Sequence, residues 1–312
     1  MIRNTMKKSS KLARIMAAAV AGAMTLVVAA CGGSGSGGEN ASGSGAPKGS
    51  GTISVVASIN QWASVAKELG GSHVDVSSIM SNTNVEAHDY EPSTSDVAKI
   101  SKAEVVVVNG ADYDPWALKA AESAGATVVN AAEAGGIKEG DNPHVWFSAA
   151  VRKATADAIT KAYQAADAKN KDAYATLNST WQQSERQLEN KIATTAKTTR
   201  NLPYAATESV AWYLAGDLQM TDNTPKGYAQ ASANESEPTP ADIKDFQSAL
   251  GDGSIKLLVF NTQEADATTD QLVSAAKSGN VPIIELTEQM PKEYGNLLDW
   301  MSALVDKFGA AV

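Results

Sequence analysis

Residues 171–199 read KDAYATLNSTWQQSERQLENKIATTAKTT, and no glycine or proline occurs anywhere between Pro143 and Pro203. Alanine, lysine, glutamine and glutamate dominate, all residues that lose little side-chain freedom in a helix. A helix from Lys171 to Thr199 spans roughly 40 Å at 1.5 Å per residue. That length suits a rigid connector better than a crossover inside one domain. The residues from Ser148 onward are also helical in pattern, and Asn170 and Asn178 are the positions where a turn between a first and a second helix could fall.

On either side of this segment, short apolar runs alternate with helical stretches. Before it, Ile53–Ala57, Val74–Met80, Val105–Asn109 and Thr127–Asn130 are rich in β-branched residues and read as strands. Gln61–Leu69, Thr94–Ser101 and Pro115–Ala124 read as the helices between them. After it, Tyr204–Thr207, Leu257–Phe260 and Val281–Leu286 read as strands, with helices over Ala241–Leu250, Thr268–Ser278 and Tyr294–Phe308. Strands that alternate with helices imply right-handed crossovers and mostly parallel sheets. The fold class is therefore α/β, with two parallel-sheet lobes joined by one long backbone helix. The expected division is an N-terminal lobe over 52–170, the linking helix over 171–199 and a C-terminal lobe over 200–312.

The first fifty residues belong to neither lobe. Arg3, Lys7, Lys8, Lys11 and Arg14 precede an apolar run from Ile15 to Ala30, the pattern of an export signal over residues 1–30. The run ends in Val28-Ala29-Ala30-Cys31, small residues directly before the one cysteine of the chain. This resembles the bacterial lipobox, which implies cleavage before Cys31 and lipidation of its thiol. Residues 31–51 are almost all glycine, serine and alanine and read as a flexible tether. No acid balances the five basic residues of the leader, so without them the net charge moves from −9 to −14. An acidic body argues against nucleic acid and suits a cationic ligand.

Only three histidines occur. His88 lies in Glu86-Ala87-His88-Asp89-Tyr90-Glu91-Pro92, after a strand and before the helix that begins near Ser93. His144 lies in Asn142-Pro143-His144-Val145-Trp146, another loop leading into a helix. Loops beyond the carboxyl ends of parallel strands are where open α/β sheets bind ligands. His73 precedes a strand, at the opposite end of its sheet, and reads as a turn residue. Trp62, Trp116, Trp181, Trp212 and Trp300 fall on helical patterns and read as packing residues.

Ala87-His88-Asp89-Tyr90-Glu91-Pro92-Ser93 with Asp96, followed by Asn142-Pro143-His144-Val145-Trp146, resembles the solute-binding lipoproteins of manganese and zinc ABC transporters. Asn109-Gly110, Asp114-Pro115-Trp116 and Glu235-Pro238-Thr239-Pro240 with Asp242 are similar to further segments of that family. The likeness runs over Gly51–Val312. It implies two lobes bridged by a backbone helix, with metal ligands at His88 and His144 in the first lobe. It implies a third ligand at Glu208 in the second lobe, within Thr207-Glu208-Ser209. The fourth position, an aspartate in the family, departs here to Glu285-Leu286-Thr287-Glu288. Strand alternation from Val281 keeps Glu285 inside the strand and puts Glu288 past its end, so Glu288 is the expected ligand, Glu285 its competitor and water the remaining alternative. Asn261-Thr262-Gln263 follows a strand and is positioned to hydrogen-bond a ligand.

Imidazole and carboxylate donors suit one divalent transition ion, Mn²⁺, Fe²⁺ or Zn²⁺, as cargo. Zinc importers of the family it resembles often carry a histidine-rich loop, so the resemblance, with no such loop here and a carboxylate at position 208, implies manganese first and zinc next. The resemblance further implies a monomer at the outer face of the cytoplasmic membrane, lipid-anchored and extracellular, partnered by a membrane permease and an ATPase of an ABC importer. The rival readings are a metal-dependent hydrolase, a surface adhesin with a structural metal, and a receptor for chelated metal. Neither His-Glu-x-x-His nor Gly-x-Ser-x-Gly occurs, so no motif nominates catalysis.

Overall fold

The computed structural model describes residues 51–84 and 90–311; the export signal, the tether, Cys31 and His88 lie outside them. In chain order the first sheet and its helices are β1 (Ile53–Ile59), α1 (Asn60–Gly70), β2 (Val74–Met80), α2 (Thr94–Ile100), β3 (Val105–Val108), α3 (Pro115–Ala124), β4 (Thr127–Asn130), the single turn α4 (Ala131–Ala134) and α5 (Ala149–Ala166). The long helix α6 covers Lys171–Thr199. The second set is β5 (Pro203–Ala206), α7 (Trp212–Asp217), β6 (Thr221–Asp222), α8 (Lys226–Ala233), α9 (Pro240–Gly251), β7 (Leu257–Asn261), α10 (Ala267–Ser278), β8 (Ile283–Leu286) and α11 (Leu297–Ala310).

Each set forms a four-stranded parallel sheet, in the orders β2-β1-β3-β4 and β6-β5-β7-β8. The chain order reverses between β1 and β3 and again between β5 and β7. Such a reversal opens a crevice beyond the carboxyl ends of those strands. The two lobes thus share one topology without sharing a sequence repeat.

The alternation of β1 and β3 divides the core. Val55, Ala57 and Ile59, with Val105 and Val107, face the cluster built by Trp62, Leu69, Ile159 and Tyr163. Val56, Val106 and Val108 face the other way, onto Ile100, Ala117 and Ala121. Both faces are covered, as all-parallel strands require. In the second lobe Ala205 and Leu258 face Phe246, Leu250 and Leu272, while Tyr204, Ala206, Val259 and Ile284 return to the first cluster. One continuous apolar core therefore runs through both lobes.

Helix α6 carries that continuity. Its buried residues are Tyr174, Trp181, Glu185, Leu188, Ile192, Ala196 and Thr199, spaced by three, four or seven along one stripe. The stripe packs on α5, α1 and α11. Inside it, Arg152 of α5 grips Glu185 with Nη2–Oε1 at 2.6 Å and Nε–Oε2 at 3.0 Å, both side chains fully buried. Arg152 Nη1 also donates to the Trp146 carbonyl at 3.0 Å. Asn170 closes the short turn before α6, whereas Asn178 lies within the helix and donates to Asp157.

The remaining differences from the sequence reading are local. The short elements α4, α7, α8 and β6, of two to eight residues, are too brief to show a period. β8 starts at Ile283, after Pro282, which has no N–H for the ladder. Asn296 caps α11 through Asp299 N and sets its start at Leu297 rather than Tyr294. Trp212 is 48 % exposed and not a core residue, because the short α7 turns it outward against the edge of Tyr213. No helix among the described residues is long and apolar enough to cross a membrane.

Candidate metal centre

The loop Asn109–Asp114 follows β3, and its backbone is left-handed at Gly110, Ala111 and Asp112 in succession. A Cβ at Gly110 would strike the side chain of Asn130, so only glycine fits there. Asp114 holds the loop by accepting from Asn109 N at 2.7 Å and Gly110 N at 2.9 Å. Burial pushes its carboxyl above the usual range, while the Ser58 hydroxyl and these amides pull it back. Backbone strain of this kind collects at functional sites. Here it delivers Tyr113, whose ring meets His144 edge-on at 6.2 Å and Trp146 at 5.2 Å.

His144 is 2 % exposed and opens the 3₁₀ turn Val145–Phe147. Asn142 precedes it by two residues and accepts from His144 N at 3.0 Å, an Asx turn. The Asn142 Oδ1 also lies 2.9 Å from His144 Nδ1. The other ring nitrogen, Nε2, is buried and makes no hydrogen bond among the described residues. It faces two carboxylates, Glu208 Oε1 at 3.2 Å and Glu288 Oε2 at 3.8 Å.

Glu208 follows β5, and Glu288 follows β8. Both are buried, at 9 % and 0 % exposure. Asn261, at the end of β7, donates from Nδ2 to Glu208 Oε2 at 2.5 Å and to Glu288 Oε1 at 3.2 Å. Tyr113 OH donates to Glu288 Oε2 at 2.7 Å and accepts from Gln289 Nε2 at 2.9 Å. Burial first, then the charge of Glu288, pushes the Tyr113 hydroxyl far above its ordinary range, so it remains a donor. Gln263 Oε1 accepts from Glu288 N and Gln289 N, and Gln61 Nε2 donates to the Glu288 carbonyl at 2.6 Å. Asn60 exchanges two bonds with the Met290 backbone. The Glu288 loop belongs to the second lobe and is fastened to both, through Asn60, Gln61 and Tyr113 on one side and Asn261 and Gln263 on the other.

One donor atom from each of His144, Glu208 and Glu288 lies within 4.8 Å of the other two, the spacing that could hold a metal ion. Two buried carboxylates that converge on an imidazole nitrogen form an oxygen and nitrogen donor set that a divalent transition ion could bind. A cleft of about 690 Å³ leads to this cluster; Asp112, Asp141, Glu235, Glu237, Glu264 and Asp266 line it together with His144 and Glu208.

The structure thus brings three sequence-predicted residues together. Glu285 stays within β8, exposed, with its carbonyl toward Lys307. His73 lies in the turn Gly71–His73 against the edge of Tyr174 at 5.6 Å, away from the cluster. His88 lies outside the described residues. Sequence reasoning missed Tyr113, Gln289, Gln61 and Asn142. Asn142 sits inside a motif already singled out and Tyr113 lies directly before another, Asp114-Pro115-Trp116, so proximity to these motifs is the available signal.

Residues 55–311 match the family described as ZnuA, the periplasmic component A of a zinc-uptake complex. The high-affinity zinc uptake system protein ZnuA of Bacillus subtilis is 24% identical, over 88% of this chain and 89% of its own. The manganese ABC transporter substrate-binding lipoprotein PsaA of Streptococcus pneumoniae is 25% identical, over 80% and 86%. Among solved structures, the periplasmic zinc-binding protein TroA of Treponema pallidum shares the fold with a TM-score of 0.71 at 16% identity, over 84% of this chain and 99% of its own. With the family match extending from β1 to α11, through both sheets and the helix between them, the chain belongs to the ZnuA family of periplasmic solute-binding proteins.

Proposed function

We propose that this protein is an extracytoplasmic receptor that binds one divalent transition ion between its lobes and delivers it to an ABC permease. The observation that carries this reading is the convergence of the His144 Nε2 face with Glu208 and Glu288, three residues from three loops and two lobes. His88 is the proposed fourth ligand and Glu285 is not one. Cys31 is the proposed lipid anchor, which holds the protein as a monomer on the outer face of the membrane beside a permease and its ATPase. The task is capture and release rather than turnover.

The cargo we propose is Mn²⁺ or Zn²⁺, with manganese first. Two carboxylates beside imidazole form a harder and more anionic donor set than histidines alone, which favours manganese by charge and coordination number rather than by intrinsic affinity. Both relatives quoted above are named for one of these metals. Elemental analysis of protein purified without added metal, followed by competitive titration of Mn²⁺ and Zn²⁺, tests the reading. One ion per chain is expected, with binding abolished by His144→Ala, weakened by His88→Ala and Glu288→Gln, and unaffected by Glu285→Gln and His73→Ala. A protein that takes up neither metal, or loses binding on His73→Ala, would refute it.

A further inference from the structure

The side chain of Asn142 contacts both lobes at once. On one side its Oδ1 accepts from the His144 backbone N at 3.0 Å and lies 2.9 Å from His144 Nδ1. On the other side its Nδ2 donates to the Ser209 carbonyl at 2.9 Å and the Ser209 hydroxyl at 3.0 Å. Its own carbonyl accepts from Tyr213 OH at 2.8 Å. Ser209 is the neighbour of Glu208, and Tyr213 lies on α7.

Two backbone groups decide which way this amide points. Turning it over would aim the NH₂ at the His144 N–H and the oxygen at the Ser209 carbonyl, losing both bonds. With Oδ1 so fixed, the His144 nitrogen beside it must carry a proton, because two acceptors cannot face each other at 2.9 Å. In the neutral imidazole that binds a metal there is one N–H, so the lone pair available to an ion is on Nε2. That atom is buried, has no hydrogen bond among the described residues, and faces Glu208 and Glu288. A lone pair set against two carboxylate oxygens is complementary to a cation.

We propose that Asn142 is a positioning residue with two linked roles: it holds His144 in the tautomer that presents Nε2 to the cargo ion, and it latches the Glu208 loop of the second lobe to the first. Capture and lobe contact then depend on one amide. An ion held by both His144 and Glu208 keeps Asn142 between its two partners, and release requires the Ser209 and Tyr213 bonds to break. These bonds lie at the rim of the cleft, where water can replace them, so the latch is a modest and reversible one. The apolar core that runs through both lobes keeps the overall arrangement when the rim opens. The second role rests on the metal-receptor reading, whereas the first does not.

The test uses the full chain, freed of metal by chelation, with ¹⁵N-labelled histidine for NMR above neutral pH and Zn²⁺ as the probe ion for binding and release. Wild type is expected to show His144 protonated at Nδ1. Asn142→Asp retains an acceptor there and should keep that tautomer, but it loses the donor to Ser209. Asn142→Ala loses both and should show a tautomer mixture, with Zn²⁺ affinity lower by about 10- to 100-fold, the usual cost of removing a partner that orients a ligand. Asn142→Asp and Tyr213→Phe should each speed Zn²⁺ dissociation by about two- to tenfold, as expected for lost neutral hydrogen bonds. Tyr213→Phe should leave the tautomer unchanged. An Asn142→Ala protein with the wild-type tautomer overturns the positioning role. Unaltered dissociation in both Asn142→Asp and Tyr213→Phe overturns the latch. A wild type that binds no Zn²⁺ overturns the latch together with the metal reading, and the NMR result still decides the tautomer.

Discussion

Asn261 gives one side-chain amide nitrogen to both Glu208 and Glu288, at 2.5 and 3.2 Å, and so sets the gap between two carboxylates that lie 80 residues apart in the chain. Its own oxygen is occupied by Gln263 N at 3.1 Å, which prevents the amide from turning over. Asn261→Ala should lower metal affinity by about 10- to 100-fold. Asn261→Asp should act differently, since a third carboxylate would repel the other two in the free protein and a bound cation would relieve that repulsion. The Asn261→Asp variant is therefore expected to melt lowest without metal and to gain the most on saturation. Calorimetry with and without Mn²⁺ checks both.

Glu208 should set metal preference. No site of these ligands will hold manganese more tightly than zinc, because intrinsic affinity rises along the series toward copper and leaves zinc above manganese. Glu208→His removes a negative charge and an oxygen that a higher coordination number could use, and supplies the nitrogen that tetrahedral zinc accepts readily. The zinc-over-manganese affinity ratio should widen, mainly through weaker manganese. Competitive titration reads this directly, and an unchanged ratio would mean that position 208 does not touch the ion.

Arg152 and Glu185 are a fully buried pair that also supports the turn after His144 through the Trp146 carbonyl. Removing one partner strands the other charge in the core. Glu185→Ala should therefore destabilise the fold by about 3–5 kcal/mol. Replacing both residues with apolar side chains of similar size should recover much of the loss. Urea unfolding of the single and double variants decides between these outcomes.

Asp96 caps α2 reciprocally with Ser93: Oδ2 accepts the Ser93 N–H at 2.9 Å and the Ser93 hydroxyl at 2.6 Å, with Tyr90 OH at 3.0 Å. The Ser93 hydroxyl first, then the Ser93 amide and Tyr90, hold its carboxyl below the ordinary value of 3.8. A carboxylate whose folded pKa is depressed stabilises the fold above its unfolded pKa, and that contribution disappears as pH falls through the folded value. The stability difference between wild type and Asp96→Asn should thus be constant from neutral pH down to about pH 5 and shrink below pH 4. Chemical denaturation across that range would show it. The phenol of Tyr90, pushed up to about 12 by burial and then by its bond to Asp96, stays neutral throughout.

Much of this molecule could be read from local pattern. The long helix is legible without tertiary information, because the stretch between Pro143 and Pro203 contains neither glycine nor proline and a helix needs only its own backbone to close its hydrogen bonds, whereas the choice between Asn170 and Asn178 as the preceding turn is not. Strand alternation separated Glu285 from Glu288: one residue within a strand faces solvent, and the other lies beyond the strand end where the crevice opens. Loop placement singles out His144, and family resemblance supplies Glu208.

Tertiary structure alone decided the rest. That Asn261 spans Glu208 and Glu288, that Tyr113 from the first lobe donates to Glu288 in the second, and that Asn142 reaches Ser209 are contacts between residues 27 to 175 positions apart. Periodicity reports which face of an element is buried, but it carries no information on which loops from different strands meet. The exposed Trp212 makes the same point, since a helical pattern of six residues cannot say whether a neighbour will cover it. The local period of a chain is settled by its own backbone and side chains, whereas the hydrogen-bond partners of a buried carboxylate are settled only once two sheets and the helix between them have packed.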